Sequence, residues 1–404
     1  MQSRHALEGL KIADFSWVIT APLAVAFLAQ YGATVVKVES MNNIDVVRPY
    51  APYKDNIPGI NRGGLFTWLN NCKYDMALDL RNPKGIEVAK RLVKWSDVVV
   101  QSYSPGVIER LGLGYEELCK IKPDIIMLST SMLGQTGPHA HYSAFGTMLQ
   151  ALSGFVNLWG WPDRAPVAPQ TAYTDWVAPP FLAIAIIAAL EHRLKTGEGQ
   201  YIDASQYEAG LQFLLPAILD YTANGVVEQR LGNRSPFNAP HGIYRCQGDD
   251  RWCAIDVGNE EEWEGFCQAI GNPAWTKEAK FTTLTDRLKN TDELDKLVEQ
   301  WTVNYPPEEV MSKLQAYGVP AMRVANGRDV HEDPQLNQTG HFQLLEHPEM
   351  GGTTYEAPAF ILHDTPYELK PAPCLGQHTE YVCTKLLGMS DEEFLELDRV
   401  GAFI

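Results

Sequence analysis

The rhythm of the first third most constrains what this chain folds into: short β-branched runs alternate with stretches of helical period. Leu10–Phe15 (LKIADF) reads as a strand, Ala21–Tyr31 as a helix and Thr34–Glu39 (TVVKVE) as a second strand. The alternation continues with a strand at Met76–Leu80, a helix at Pro83–Trp95, a strand at Asp97–Tyr103, a helical stretch at Val107–Ile121 and a strand at Asp124–Ser131. Asn82 followed by Pro83 is a good helix start, an N-cap side chain and then a proline where no N–H is needed. Strands separated by helices pair in parallel, and a parallel sheet is covered on both faces. The expected fold class is α/β: a large Rossmann-like, doubly wound parallel-sheet domain.

The later chain changes character. Phe181–Leu190 is an apolar helix ended by a Lys195–Gly199 turn, with a strand at Gln200–Ala204 after it. From about Asn233, NRSPFNAPHGIYRC and WCAIDVG read as antiparallel strands, with helices at Glu260–Ile270 and Asp292–Tyr317. This implies a smaller α+β domain. The expected boundaries are 1–225 for the first segment of the large domain, 226–330 for the small one, and 331–404 for a C-terminal segment that returns to the large domain or wraps a partner chain. A chain of 404 residues, 45% hydrophobic, has enough apolar material for both cores.

Composition removes several classes of function. A net charge of −17 repels nucleic acid and anionic membranes, so a phosphate-bearing ligand needs a local basic pocket. The Phe181–Leu190 run is about half of the roughly 20 residues a membrane span needs, and reads as a buried helix. Met1–Gly9 has no apolar run of the secretory kind, so a cytoplasmic protein is expected. The seven cysteines show no metal-binding spacing, so no metal site is expected.

The first strand–helix turn, Ser16-Trp17-Val18-Ile19-Thr20-Ala21-Pro22, lacks the GxGxxG of dinucleotide folds, and the chain has no GxSxG, Walker or HExxH motif. Attention therefore falls on carboxylates. Asp175, in Thr171-Ala172-Tyr173-Thr174-Asp175-Trp176, lies among aromatics just before the apolar helix, where an ionised carboxylate is costly unless paired or used. Taken alone, it reads by default as an N-cap.

Resemblance changes that reading. LEGLKIADFSWVITAPLAVAFLAQYGATVVKVE closely resembles the opening of the CaiB/BaiF, or class III, CoA-transferases. Asp97–Gly106 (DVVVQSYSPG), Gly134-Gln135-Thr136-Gly137-Pro138 and Lys195-Thr196-Gly197-Glu198-Gly199-Gln200 follow in the family's order. The resemblance implies that Asp175 is the nucleophile, and that CoA enters as acyl-CoA substrate with no permanently bound cofactor. It implies CoA contacts at Trp17, Val18, Ile19, Thr20, Lys73, Tyr103 and Arg110. Lys73 and Arg110 would supply the local positive charge, though each reads equally as a solvated surface charge. Ser40 and Ser102 depart from the arginine and asparagine often found at those positions in the family.

The chemistry suits a carboxylate, which is ionised at neutral pH near its reference pKa of about 4 and attacks a thioester without a general base. Phe145, Phe155, Trp159, Trp161, Tyr173 and Trp176 cluster in sequence about Asp175, fitting a hydrophobic acyl group or ordinary packing. Within the family the chain looks like the Asp-bearing subunit of the benzylsuccinate type of anaerobic toluene degradation, with succinyl-CoA as donor and an aromatic or branched dicarboxylic acid as acceptor. The resemblance further implies an interlocked homodimer, or a heteromer with a homologous subunit. An acyl-CoA racemase is the rival enzyme, disfavoured because Phe145-Gly146 stands where that branch carries His-Asp. A non-catalytic CoA-binding subunit is the rival outside catalysis, disfavoured by the retained Asp175.

Overall fold

The computed structural model describes residues 5–404. Six strands form one parallel sheet: β1 (Lys11–Phe15), β2 (Thr34–Glu39), β3 (Tyr74–Ala77), β4 (Val98–Gln101), β5 (Ile126–Ser131) and β6 (Tyr201–Ser205). Their order is β3-β2-β1-β4-β5-β6, so the winding direction reverses between β1 and β4. Side chains alternate across the sheet, as the pleat requires. Ile12, Val35, Val98, Val100 and Leu128 share a core with the helix α1 (Thr20–Gln30), whereas Ala13, Val36, Val99 and Met127 share the opposite one with α2 (Pro83–Trp95). The central strands are buried on both faces, which is why β2 (TVVKVE) and β4 (VVVQ) are rich in valine.

The local signals act as read. Asn82 accepts from Lys84 N–H at 2.9 Å and caps α2, with Pro83 at its first position. The Val107–Ile121 stretch is two helices rather than one, Val107–Arg110 and Tyr115–Ile121, broken at Gly112 with φ +71°. The apolar Pro179–Thr196 helix is one-sided rather than fully buried. Leu182, Ile186 and Ala189 pack inward while Ile184 and Leu194 are 62% and 82% exposed. The Gly-rich tail holds a hairpin that the sequence reading did not anticipate, Phe342–His347 against Gly351–Glu356.

The chain forms two compact units. The first runs to Phe155 and includes Ala168–Asn224 and Asn337–Ile404, so the C-terminal segment adds Val382, Cys383 and Leu397 to the core on the α2 face. The second comprises Val156–Val167 and Gly225–Leu336. It has an antiparallel sheet in which Trp252–Asp256 lies between His241–Arg245 and Ala321–Arg323. Its core is built on Trp263, Phe266, Phe281, Leu294 and Val298.

Candidate active site

Parallel sheets place ligands outside the carboxyl ends of their strands, where the strand order reverses. A cavity of about 440 Å³ lies there, walled by the turn after β1, by Ser102 and Pro105 after β4, and by Thr130 and Ser131 of β5. Gly146, Asp175 and Gln206 complete it.

Asp175 lies in the short helix α3 (Tyr173–Val177), ahead of α4 (Pro179–Thr196). It does not cap α4: the residue at that N-cap is Ala178, and two prolines open the helix, leaving few N–H groups to cap. Its carboxylate, on a residue only 8% exposed, instead accepts from the Gln206 side-chain amide, and the Thr20 hydroxyl in the same cavity favours its charged form. Gln206 is placed by β6, whose last residue, Ser205, caps the helix α5 (Gln206–Leu211) by accepting from Glu208 N–H. The same amide reaches Thr174 Oγ1 at 3.3 Å, and that hydroxyl donates to Gly146 O at 3.3 Å. Burial pushes the Asp175 pKa up to about 6, against the lowering effect of Gln206 and Thr20. The carboxyl is thus a weaker acid than its reference value suggests, yet about nine-tenths ionised at pH 7.

The structure brings Trp17, Val18, Ile19 and Thr20 to the same cavity. Trp17 N–H donates to Ser102 Oγ at 2.8 Å, and Val18 is held at φ +68° with its N–H on Asp45 Oδ1 at 3.2 Å. Lys73 is placed elsewhere than expected. It is neither a surface charge nor presented to a ligand: its side chain is fully enclosed and spends its three donors on Asp14 Oδ2, Pro22 O and Asn70 Oδ1, each at 2.9 Å. Burial depresses its pKa to about 8 despite Asp14. Tyr103 stands behind the cavity wall, its ring 6.1 Å from that of Trp17. Arg110 is exposed at the end of its short helix, with no ion pair among the described residues.

Of the six aromatics near Asp175 in sequence, only Phe145 lines the cavity. Phe155 and Tyr173 pack on each other, and Trp176 packs on Trp68. The rest of the lining is mixed: Trp17, Val18, Ile19, Met132 and Met148 are apolar, Ser102, Ser131, Ser143 and Tyr142 carry hydroxyls, and among the described residues no lysine, arginine or histidine lines it. Sequence reasoning missed Gln206 and the role of Gly146. Gln206 was findable as the polar residue at the end of the last parallel strand. The two glycine motifs are structural: Gln135 N–H donates to Asp203 Oδ1 at 2.8 Å, and a Cβ at Gly199 would stand 2.5 Å from the carbonyl carbon of Asp124.

Residues 7–379 match the sequence profile of CoA-transferase family III. The chain belongs to CoA-transferase family III.

This family III transferase is 30% identical over 394 residues to the succinyl-CoA–D-citramalate CoA-transferase of Chloroflexus aurantiacus, covering 97% of this chain and 96% of that one. It is 32% identical over 373 residues to the acetyl-CoA:oxalate CoA-transferase of Acetobacter aceti, covering 92% and 93%. The crystal structure of a CAIB/BAIF family protein from Brucella suis superposes with a TM-score of 0.87 at 28% identity, covering 95% of this chain and 100% of that one. The enzyme is therefore a CoA-transferase of the CaiB/BaiF fold, and for the family CoA thioesters are substrates.

Proposed function

We propose that the chain moves CoA from a short acyl-CoA to a carboxylic acid through covalent intermediates on Asp175. The observation that carries this is the buried Asp175 carboxylate, held by Gln206 and Thr20 in the switch-point cavity. Asp175 attacks the thioester carbonyl, forming an aspartyl–acyl anhydride and releasing CoA thiolate. The thiolate attacks the aspartyl carbonyl, giving an aspartyl-CoA thioester and the free donor acid. The acceptor carboxylate attacks that thioester, forming a new anhydride, and the thiolate then takes the acceptor acyl group and frees Asp175. Each intermediate hydrolyses readily, so an enclosed site matters, and the Gln206 amide is placed to meet charge developing at the aspartyl carbonyl.

Trp17–Thr20 contact the pantetheine end of CoA, with Tyr103 supporting Trp17 from behind. Arg110 meets the phosphates outside the cavity. A racemase reading has little support, since no histidine and no second carboxylate line the cavity.

Succinyl-CoA is our proposed donor, supported by the D-citramalate enzyme and by the succinyl-CoA–L-malate CoA-transferase beta subunit of Chloroflexus aurantiacus, 30% identical over 398 residues. For the acceptor, the serine hydroxyls of the lining support a small polar acid, whereas Trp17, Tyr142 and Phe145 support an aromatic one such as benzylsuccinate. The enzyme works as a homodimer or with a homologous subunit, consistent with the exposed apolar face of α4. Seven unpaired thiols fit a reducing cytoplasm.

The test is peptide mass spectrometry after incubation with succinyl-CoA and hydroxylamine, followed by a screen of D-citramalate, L-malate, oxalate and benzylsuccinate. A hydroxamate on the Asp175 peptide is expected. A wild-type enzyme that transfers CoA without that mark, or an Asp175→Asn variant that still transfers, overturns the proposal.

A further inference from the structure

We propose that Lys37 and Asp45, an enclosed ion pair, are positioning residues that hold the Val18 backbone in its left-handed conformation and thereby set the cavity wall facing Asp175. The inference rests on the reading of Asp175 as the reacting group.

Val18 is the anomaly. A β-branched residue at φ +68° is a genuine outlier, and such a conformation persists only where its surroundings over-determine it. Here they do. Asp45 Oδ1 accepts the Val18 N–H at 3.2 Å, while Asp45 Oδ2 receives Lys37 Nζ at 3.2 Å. Lys37 Nζ in turn donates to Ser16 O at 2.8 Å. The two ends of one ion pair thus grip the backbone on either side of Trp17. Trp17 N–H is itself held by Ser102 Oγ, and Ser16 N–H by Asp14 Oδ1 at 3.0 Å. Asp14 is paired with Lys73, which also holds Pro22 O. The turn therefore lies on four buried charges, each bonded to its backbone or to a partner that is.

Stability alone does not explain this arrangement. Both side chains are 0% exposed, and a buried ion pair is often no more stabilising than apolar residues of the same size. What the pair adds is direction: two fixed backbone contacts that no apolar pair can make. Burial disfavours the Lys37 charge, but Asp45, Glu39 and Asp14 together raise its pKa, so Lys37 enters the clamp as an ammonium. Two residues beyond Val18 stands Thr20, which lines the same cavity and whose hydroxyl favours the charged form of Asp175. Relaxing Val18 moves that donor.

The test is a mutant cycle in the full-length enzyme. The first variant, K37M/D45L, removes both charges together so that neither is left unpaired; the second, D45N, removes one. Each is made with and without V18G, since glycine adopts positive φ freely. K37M/D45L is expected to lower kcat at least tenfold, with a change of less than threefold in the KM for acyl-CoA. The acid limb of its pH–rate profile is expected above that of wild type, because Thr20 no longer supports the carboxylate. In the V18G background, removing the clamp is expected to cost less than threefold. A wild-type kcat in K37M/D45L, an unmoved acid limb, or an equal loss in both backgrounds overturns the proposal. So does failure of both clamp variants to fold, which makes the pair structural. Hydroxylamine trapping on wild type separates the two readings: no mark on Asp175 sinks the site, whereas a mark without coupling sinks only the clamp.

Discussion

Gly146 and Asp175 stand so close that a Cβ at position 146 would fall 2.6 Å from both Cγ and Oδ2 of the aspartate. The glycine is there because the carboxylate occupies the space a side chain would take. Gly146→Ala is expected to swing the carboxylate off Gln206 while leaving the sheet intact. Misplacement of this size costs about 10²-fold in rate. Steady-state transfer assays and circular dichroism check this, with kcat falling and the fold retained.

The ionisation of Asp175 predicts an acid limb. Transfer requires the carboxylate, so kcat/KM is expected to fall as pH drops through about 6, well above the range of an exposed aspartate. Gln206 bonds the charged form and lowers this value against burial, so Gln206→Ala moves the limb to higher pH and lowers the plateau. A pH–rate profile of each enzyme decides it.

The same carboxylate costs stability at neutral pH. Its folded pKa of about 6 lies above the ordinary aspartate value of 3.8, so the folded state binds this proton more tightly than the unfolded chain. Ionisation as pH rises from about 4 through 6 therefore penalises the fold, by about 3 kcal/mol once complete. Asp175→Asn is expected to abolish transfer and raise the Tm at pH 7.5, with the gain shrinking toward pH 4. Thermal melts across that range measure it.

Lys73 and Arg110 are expected to separate cleanly. Lys73→Ala leaves Asp14 as an unpaired buried carboxylate, and breaking such a pair costs about 3–5 kcal/mol. Its Tm falls steeply, while the CoA affinity of the protein that remains folded changes little. Arg110→Ala keeps the Tm and weakens CoA binding in a salt-dependent way, as for a surface cation meeting phosphate. Calorimetric titration of CoA at two ionic strengths tests both.

The legible part of the fold was the part encoded locally. Thr34–Glu39 and Pro83–Trp95 are found with the bounds read from periodicity and capping, because those signals act over a few residues. The hairpin of Phe342–His347 with Gly351–Glu356 escaped because its second strand, GGTTYE, lacks the usual alternation of apolar residues. Asp175 stood out as a carboxylate among aromatics, but its neighbours in sequence were poor guides to its neighbours in space. Trp159 and Trp161 belong to the second unit, while Thr20 and Gln206 touch the carboxylate.

By itself, then, the sequence determined the parallel α/β architecture, through the alternation of β-branched runs with capped helices, and it marked Asp175 through family motifs. Only the tertiary structure decided where charge is used. Lys73 reads as any other lysine until the fold encloses it against Asp14, and Val18 as any other valine until Asp45 and Lys37 hold its backbone. Pairing of this kind depends on which strand ends the winding brings together and how much water they exclude. Those are properties of long-range contacts, and local pattern does not encode them.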